Sequence, residues 1–210
     1  MLIFILTGLA FGTAILHLWG EYHGPQWLIY SAKPLTTTLL LLLAVVAPQP
    51  VSGFYQWSIV AGLLFSLVGD IFLMLPSDRF MAGLISFLIA HLWYIAAFAS
   101  QVHWPLFSWW GVPVIIWGGV IYVLLAPHLG RLRLPVLGYM AAILFMAWLA
   151  ITLSGQRGET WTEWAASGAV LFVLSDSVLA LNRFRKPFGS AQLIVLGSYY
   201  LAQWFIALSV

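Results

Sequence analysis

Two acidic side chains stand in stretches where acid is costly. Asp70 lies in Gly62-Leu-Leu-Phe-Ser-Leu-Val-Gly-Asp70-Ile-Phe-Leu-Met-Leu75, and Asp176 lies in Gly168-Ala-Val-Leu-Phe-Val-Leu-Ser-Asp176-Ser-Val-Leu-Ala-Leu181. The two segments read as copies 106 residues apart, about half of the 210-residue chain. A carboxylate inside a membrane-crossing helix costs roughly 2.5–3.5 kcal/mol on insertion scales, so such residues are rare and mark functional sites. Two carboxylates in a low-dielectric cavity, with one cation nearby, do not titrate alike. One can hold a proton while the other is an anion. That division suits hydrolysis through an oxocarbenium-like state, as in paired-carboxylate glycosidases.

The elements that must position these groups are transmembrane helices. Residues are 63% hydrophobic and only 7% charged, with a mean hydropathy of +1.01. Soluble domains carry about 25% charged residues, so composition implies an all-α, polytopic membrane bundle. The net charge of +2 comes without a dense Lys/Arg stripe, and no nucleic-acid partner is expected. Without cysteine there is no disulfide or thiolate metal site. The N-terminus lacks a basic n-region and reads as the first span rather than a cleaved signal.

A span needs about 20 apolar residues. Eight segments approach this: 2–19, 28–46, 57–75, 81–100, 107–126, 134–153, 162–181 and 190–209. Turn signals such as Ala47-Pro-Gln-Pro and Arg185-Lys-Pro-Phe-Gly separate them; Pro113, Gly118 and Gly119 interrupt the fifth. One domain, residues 1–210, is expected. The loops after odd-numbered spans hold Arg79, Arg131, Arg133, Arg183, Arg185 and Lys186, against Arg157 alone on the other side. By the positive-inside rule both termini face outward, and the odd spans exit into the cytoplasm. Trp104, Trp109, Trp110, Trp161 and Trp164 form an aromatic belt at the outer side. The aspartate helices, third and seventh, share one direction, so the halves read as two parallel four-helix repeats. His91 and Tyr94 in the fourth span correspond roughly to Tyr199 and Gln203 in the eighth.

A rise of about 1.5 Å per residue converts position into depth. Asp70 and Asp176 each fall five residues before a cytoplasmic span end. Lys33 and Tyr139 each fall five residues after a cytoplasmic span start, with Thr36 and Thr37 one turn deeper than Lys33. Four spans thus place ionisable or phenolic groups in one shallow layer, with Asn182 at its rim and His91 and Tyr199 at mid-depth. Unpaired charges there are expensive, which predicts a shared polar cavity. Blander roles compete. Lys33 could snorkel to the interface, and His91 could make one interhelical hydrogen bond. His17 reads as interfacial, His23, His103 and His128 as loop residues, and Ser66, Ser175 and Ser177 as packing residues. No Gly-x-Ser-x-Gly elbow and no histidine ligand cluster is present, so neither a metal nor another cofactor is expected.

Five motifs carry a family resemblance: Lys33-Pro-Leu-Thr-Thr37, Ser66-Leu-Val-Gly-Asp70, Phe80-x-x-Gly83-x-x-x-Phe87-x-x-x-His91-x-x-Tyr94, Ser175-Asp176-Ser177 and Tyr199-Tyr-x-x-Gln203. In order and spacing they resemble the YhhN-type lysoplasmalogenase family, from about Lys33 to the C-terminus. The resemblance implies an eight-helix membrane enzyme. Its activity would be hydrolysis of the vinyl ether bond of lysoplasmalogens to a fatty aldehyde and glycerophosphoethanolamine or glycerophosphocholine. It makes a membrane lysophospholipid the expected partner and the bacterial inner membrane the expected location, with the active site toward the cytoplasmic leaflet. Asp70 and Asp176 are then the expected acid–base pair, their roles unassigned. Lys33, Thr37, His91, Tyr94, Tyr139, Asn182, Tyr199 and Gln203 are the expected substrate-binding residues. Lys33 would tune the aspartates or hold the phosphate, and Arg79, Arg183 and Arg185 would attract it at the rim. Two rival readings stand beside this one: a proton-coupled small-molecule transporter and a hydrolase of another membrane lipid, such as a ceramide or a lysophospholipid ester.

Overall fold

A computed structural model describes residues 1–210 as a helical bundle without strands. Eight helices are long and apolar enough to cross a membrane. Their α-helical parts are α1 (Leu2–His23), α2 (Gln26–Val45), α3 (Gly53–Met74), α4 (Phe80–Ala99), α5 (Val112–Leu125), α6 (Arg133–Arg157), α7 (Thr160–Phe184) and α8 (Ala191–Leu208). Local chemistry sets several of the ends. The Ser52 hydroxyl accepts from the Tyr55 N–H at 3.1 Å and caps α3, satisfying a donor that has no helical partner. Gly158, at φ +63°, terminates α6 in the left-handed conformation, which glycine adopts without a Cβ clash.

Three expectations shift. The first span runs past residue 19 to His23, and the sixth past residue 153 to Arg157. A helix continues through polar residues until a capping or breaking residue stops it, whereas hydropathy marks only its apolar stretch. In the fifth, Pro113 lies in the first turn of α5, where a missing N–H costs nothing, so it starts the helix rather than breaking it. Short 3₁₀ turns at Trp109–Gly111 and Ala126–His128 extend α5 to a span of Trp109–His128, and one at Gly130–Leu132 leads into α6.

Sequential helices pair, α1 with α2, α3 with α4 and α7 with α8. In addition α2 lies on α3, α6 on α7, α4 on α6, and α8 on α1, α2 and α3, while α5 rests on α6 and α7. In lipid, helices associate through close packing and hydrogen bonds rather than hydrophobic burial. Two glycines permit that approach at matched places, each eight residues before an aspartate. A Cβ on Gly62 would strike the Tyr94 ring of α4, and one on Gly168 would come within 2.8 Å of the Ala202 carbonyl of α8. The central core, including Tyr55, Phe98, Met146 and Phe172, is fully buried, while Phe4, Trp57 and Val123 face outward at 81%, 62% and 69% exposure. Trp104, Trp109 and Trp110 are exposed on the connection before α5.

Candidate active site

The bundle encloses one large cavity of about 480 Å³ at the end where α1, α3 and α7 finish and α2, α6 and α8 begin. That size lies within the range of about 300–1,000 Å³ typical of small-ligand sites. Asp70, Asp176, Lys33, Tyr139, Tyr199 and Asn182 all line it, and most of the remaining wall is apolar.

Asp70 is 1% exposed and its carboxylate is engaged from three directions. The Lys33 ammonium lies 3.4 Å from Oδ1. Thr37, one turn further along α2, donates its hydroxyl to Oδ2 at 2.7 Å. The Tyr199 hydroxyl of α8 donates to the same oxygen, also at 2.7 Å. Behind Tyr199 the network continues. Gln203 donates from Nε2 to the Tyr199 hydroxyl at 3.2 Å, Tyr94 of α4 donates to Gln203 Oε1 at 2.8 Å, and Ser66 meets the Tyr94 hydroxyl at 3.5 Å. Spacing explains the connectivity. Lys33 and Thr37, Ser66 and Asp70, and Tyr199 and Gln203 are each four residues apart, so each pair shares a helix face. The Asp70 carboxylate thus has one cation and two hydroxyl donors on it.

Asp176 sits differently. It is partly exposed to the cavity, and one side chain, the Tyr139 hydroxyl of α6, donates to its Oδ2. No lysine or arginine lies within ion-pair distance of it. Its serine neighbours are engaged elsewhere. Ser175 donates to the Val195 carbonyl of α8 at 2.9 Å. Ser177 donates to Val173 within its own helix at 2.6 Å and accepts from the Trp117 indole of α5 at 3.1 Å. Both serines therefore fix helix positions around a carboxylate whose second oxygen no side chain claims.

Four of the expected binding residues stand behind the cavity wall rather than on it: Thr37, Tyr94, Gln203 and His91. The first three hold the Asp70 network. His91 is fully buried, and neither ring nitrogen meets a hydrogen-bond partner. It is packed edge-on by Tyr139 at 5.2 Å and by Phe172 at 4.7 Å, so it braces the Tyr139 ring from behind. Asn182 faces the cavity while its Oδ1 accepts from the Phe188 N–H at 3.1 Å, fixing the turn into α8. Of the rim arginines only Arg183 reaches the cavity. It donates to both oxygens of Asp78 at 2.9 Å.

Two residues near the end of α1 depart from the expected picture. His17 is not interfacial. It is fully buried, with Nδ1 2.7 Å from the Tyr200 hydroxyl and Nε2 3.3 Å from Glu21. Glu21 itself lines the cavity. Ending the first span at residue 19 hid both. The spacing of four between His17 and Glu21, one helical turn, was the available signal.

An eight-helix apolar bundle with two carboxylates on one internal cavity defines an integral membrane protein with a buried polar site. The chain belongs to the YhhN family, whose model matches residues 26–210. It is similar to human lysoplasmalogenase TMEM86A, at 35% identity over 199 residues covering 91% of this chain and 82% of that protein. Pig lysoplasmalogenase TMEM86B is 35% identical over 196 residues, covering 92% of this chain and 80% of the relative. The Escherichia coli O157:H7 protein named uncharacterized membrane protein YhhN is 32% identical over 191 residues, 90% of each chain. No solved structure matches.

Proposed function

We propose that this protein is a lysoplasmalogenase, a hydrolase that cleaves the vinyl ether bond of lysoplasmalogens with Asp176 as general acid and Asp70 as fixed anion. One observation carries the assignment of roles: two carboxylates share a cavity, and only one of them is neutralised by a cation. The relatives named lysoplasmalogenases support the reaction class.

The chemistry follows from the bond. A vinyl ether is protonated at the carbon remote from oxygen, which leaves an oxocarbenium ion. Asp176 delivers that proton from its carboxyl group, while the Tyr139 hydroxyl holds the other oxygen. The Asp70 anion, fixed by Lys33, Thr37 and Tyr199, stabilises the developing positive charge without reorganising. Water adds to the carbon bearing oxygen and gives a hemiacetal, its proton returning to the Asp176 carboxylate. The hemiacetal collapses to a fatty aldehyde and the free glycerol hydroxyl. Positioned proton transfer of this kind contributes about 10²–10⁴-fold in rate.

Pure protein with an alkenyl lysophospholipid in D₂O should release aldehyde carrying one deuterium beside the carbonyl. Asp176→Asn should lower release by about 10²–10⁴-fold and Asp70→Asn by about 10²–10³-fold, and the saturated alkyl ether should resist. Wild-type release from either variant, or aldehyde without deuterium, would sink the mechanism. The bacterial inner membrane, with outward termini and a site opening to the cytoplasmic leaflet, accords with the basic residues at this end of the bundle. The chain has no cysteine, so single cysteines placed at Gly155 and Gly189 should be labelled from opposite sides.

A further inference from the structure

The cavity extends beyond the two aspartates to the junction of α1, α2 and α8, where Glu21, Gln26, Tyr30 and Gln192 join its wall. The charges of this wall do not balance. Its two strong cations are Lys33 and Arg183. Lys33 is taken by Asp70 at 3.4 Å, and Arg183 by Asp78 at 2.9 Å. Neither lies within ion-pair distance of Glu21, whose partner is the His17 ring at 3.3 Å, one turn earlier on the same helix. That histidine is fully buried and tied to Tyr200 through its other nitrogen, which fixes the ring beside Glu21 Oε1, while its Nε2 makes no hydrogen bond. The Glu21 side chain keeps 20% exposure, and Oε2 takes no salt bridge. Glu21 lies two residues from the end of α1, roughly 3 Å along the axis. Asp176 lies eight residues from the end of α7, roughly 12 Å. A carboxylate is thus pre-positioned near the mouth of a cavity whose reacting groups lie deeper.

We propose that Glu21 is a binding subsite for the ammonium nitrogen of a zwitterionic lysophospholipid headgroup, and so a specificity-determining residue of this enzyme. The inference rests on the lysolipid reading above. A substrate with its ether at Asp176 and its chain against the apolar wall runs its headgroup outward along the cavity, toward the α1 end. An ammonium group at that end meets the Glu21 carboxylate in a charge-assisted contact. The Gln26 amide offers an acceptor for the N–H groups of an ethanolamine nitrogen, and the Tyr30 ring on the same wall offers a face to either cation. A headgroup without a cation forgoes that contact, which discriminates against it. Glu21 also precedes the stretch that the family model matches, so the subsite is assigned from this chain's own geometry.

The test compares alkenyl lysolipids with phosphoethanolamine, phosphocholine and phosphoglycerol headgroups, on wild type and Glu21→Gln. The glutamine keeps an oxygen for His17 and removes the charge. In wild type, kcat/KM for the two ammonium headgroups should exceed that for phosphoglycerol by tenfold or more, and Glu21→Gln should collapse that ratio to within twofold. Equal loss on all three lipids, or an unchanged ratio, overturns the subsite. Binding of the uncleavable alkyl-ether analogues separates this proposal from the activity. If no alkenyl lipid is cleaved but ammonium analogues bind preferentially in a Glu21-dependent manner, the activity falls and the subsite stands. If cleavage occurs without headgroup preference, the subsite falls and the activity stands.

Discussion

Asp70 and Asp176 occupy equivalent places and lead opposite lives. Each follows a tightly packed glycine by eight residues, on a helix that a partner helix crosses closely. Each meets a residue from the helix before its own, and those residues are again 106 apart: Lys33 from α2 and Tyr139 from α6. One slot is filled by an ammonium and its counterpart by a phenol. That exchange, with Thr37 and Tyr199 added on one side only, turns one carboxylate into a clamped anion and leaves the other on a single neutral donor. The comparison teaches that neighbours alone can give two similarly placed carboxylates different chemical environments, with the acid itself unchanged.

The largest break in the symmetry should appear when each acid is neutralised. Asp70→Asn leaves the Lys33 ammonium, 12% exposed, without a counter-charge. Stranding one member of a buried pair costs about 3–5 kcal/mol. Asp176→Asn strands no charge, because the new amide carbonyl still accepts from Tyr139. Unfolding in mild detergent should therefore show a loss of about 3–5 kcal/mol for Asp70→Asn and under about 1 kcal/mol for Asp176→Asn. Adding Lys33→Met to Asp70→Asn should recover much of the loss. Equal stabilities for the two asparagine variants would remove the distinction between a carboxylate paired with a cation and one that is not.

The tyrosines sharpen the same contrast at a smaller scale. Tyr199→Phe removes one of three partners of Asp70 and also deprives the buried Gln203 amide of its acceptor. An unsatisfied buried donor costs about 1–3 kcal/mol, so this variant should lose stability. Tyr139→Phe removes the one donor to a carboxylate that water in the cavity can reach, so stability should change less and aldehyde release more. A stability loss for Tyr139→Phe as large as that for Tyr199→Phe would mean that Asp176 is as locked in place as Asp70.

The scaffold was far easier to read from the sequence than the networks. Eight spans follow from apolar length alone, and the aspartates stand out because charge is scarce in such stretches. Lys33 and Tyr139 could be brought to the same layer by counting residues from span ends, since rise per residue is fixed. Counting gives depth but not rotation about the helix axis. Thr37 and Gln203 were therefore expected against substrate, whereas they face Asp70 and Tyr199. His91, at mid-depth, turned into an aromatic cage instead of toward the cavity. Glu21 escaped because a hydropathy boundary is not a helix end: α1 carries its last polar turn, and a cavity-lining carboxylate with it, beyond the apolar run.

The weakest link between the two regions is also the most visible. Asp78, just after α3, accepts both bonds from Arg183 near the end of α7, and the guanidinium lies 4.0 Å from the centre of the Phe80 ring. The pair ties the Asp70 helix to the Asp176 helix across the cavity rim. Its side chains are 73% and 37% exposed, and exposed ion pairs are worth about 0–1 kcal/mol. Asp78→Asn should therefore cost under about 1 kcal/mol in low salt. That cost should fade in 1 M salt, where charges are screened beyond about 3 Å. Arg183→Ala should cost more and keep its cost in salt, because it also strips the stacking from Phe80, worth about 0.5–1 kcal/mol. A salt-insensitive loss in Asp78→Asn would show that the tie holds the two helices in register, and that the difference between the aspartates depends on the rim as well as on Lys33 and Tyr139.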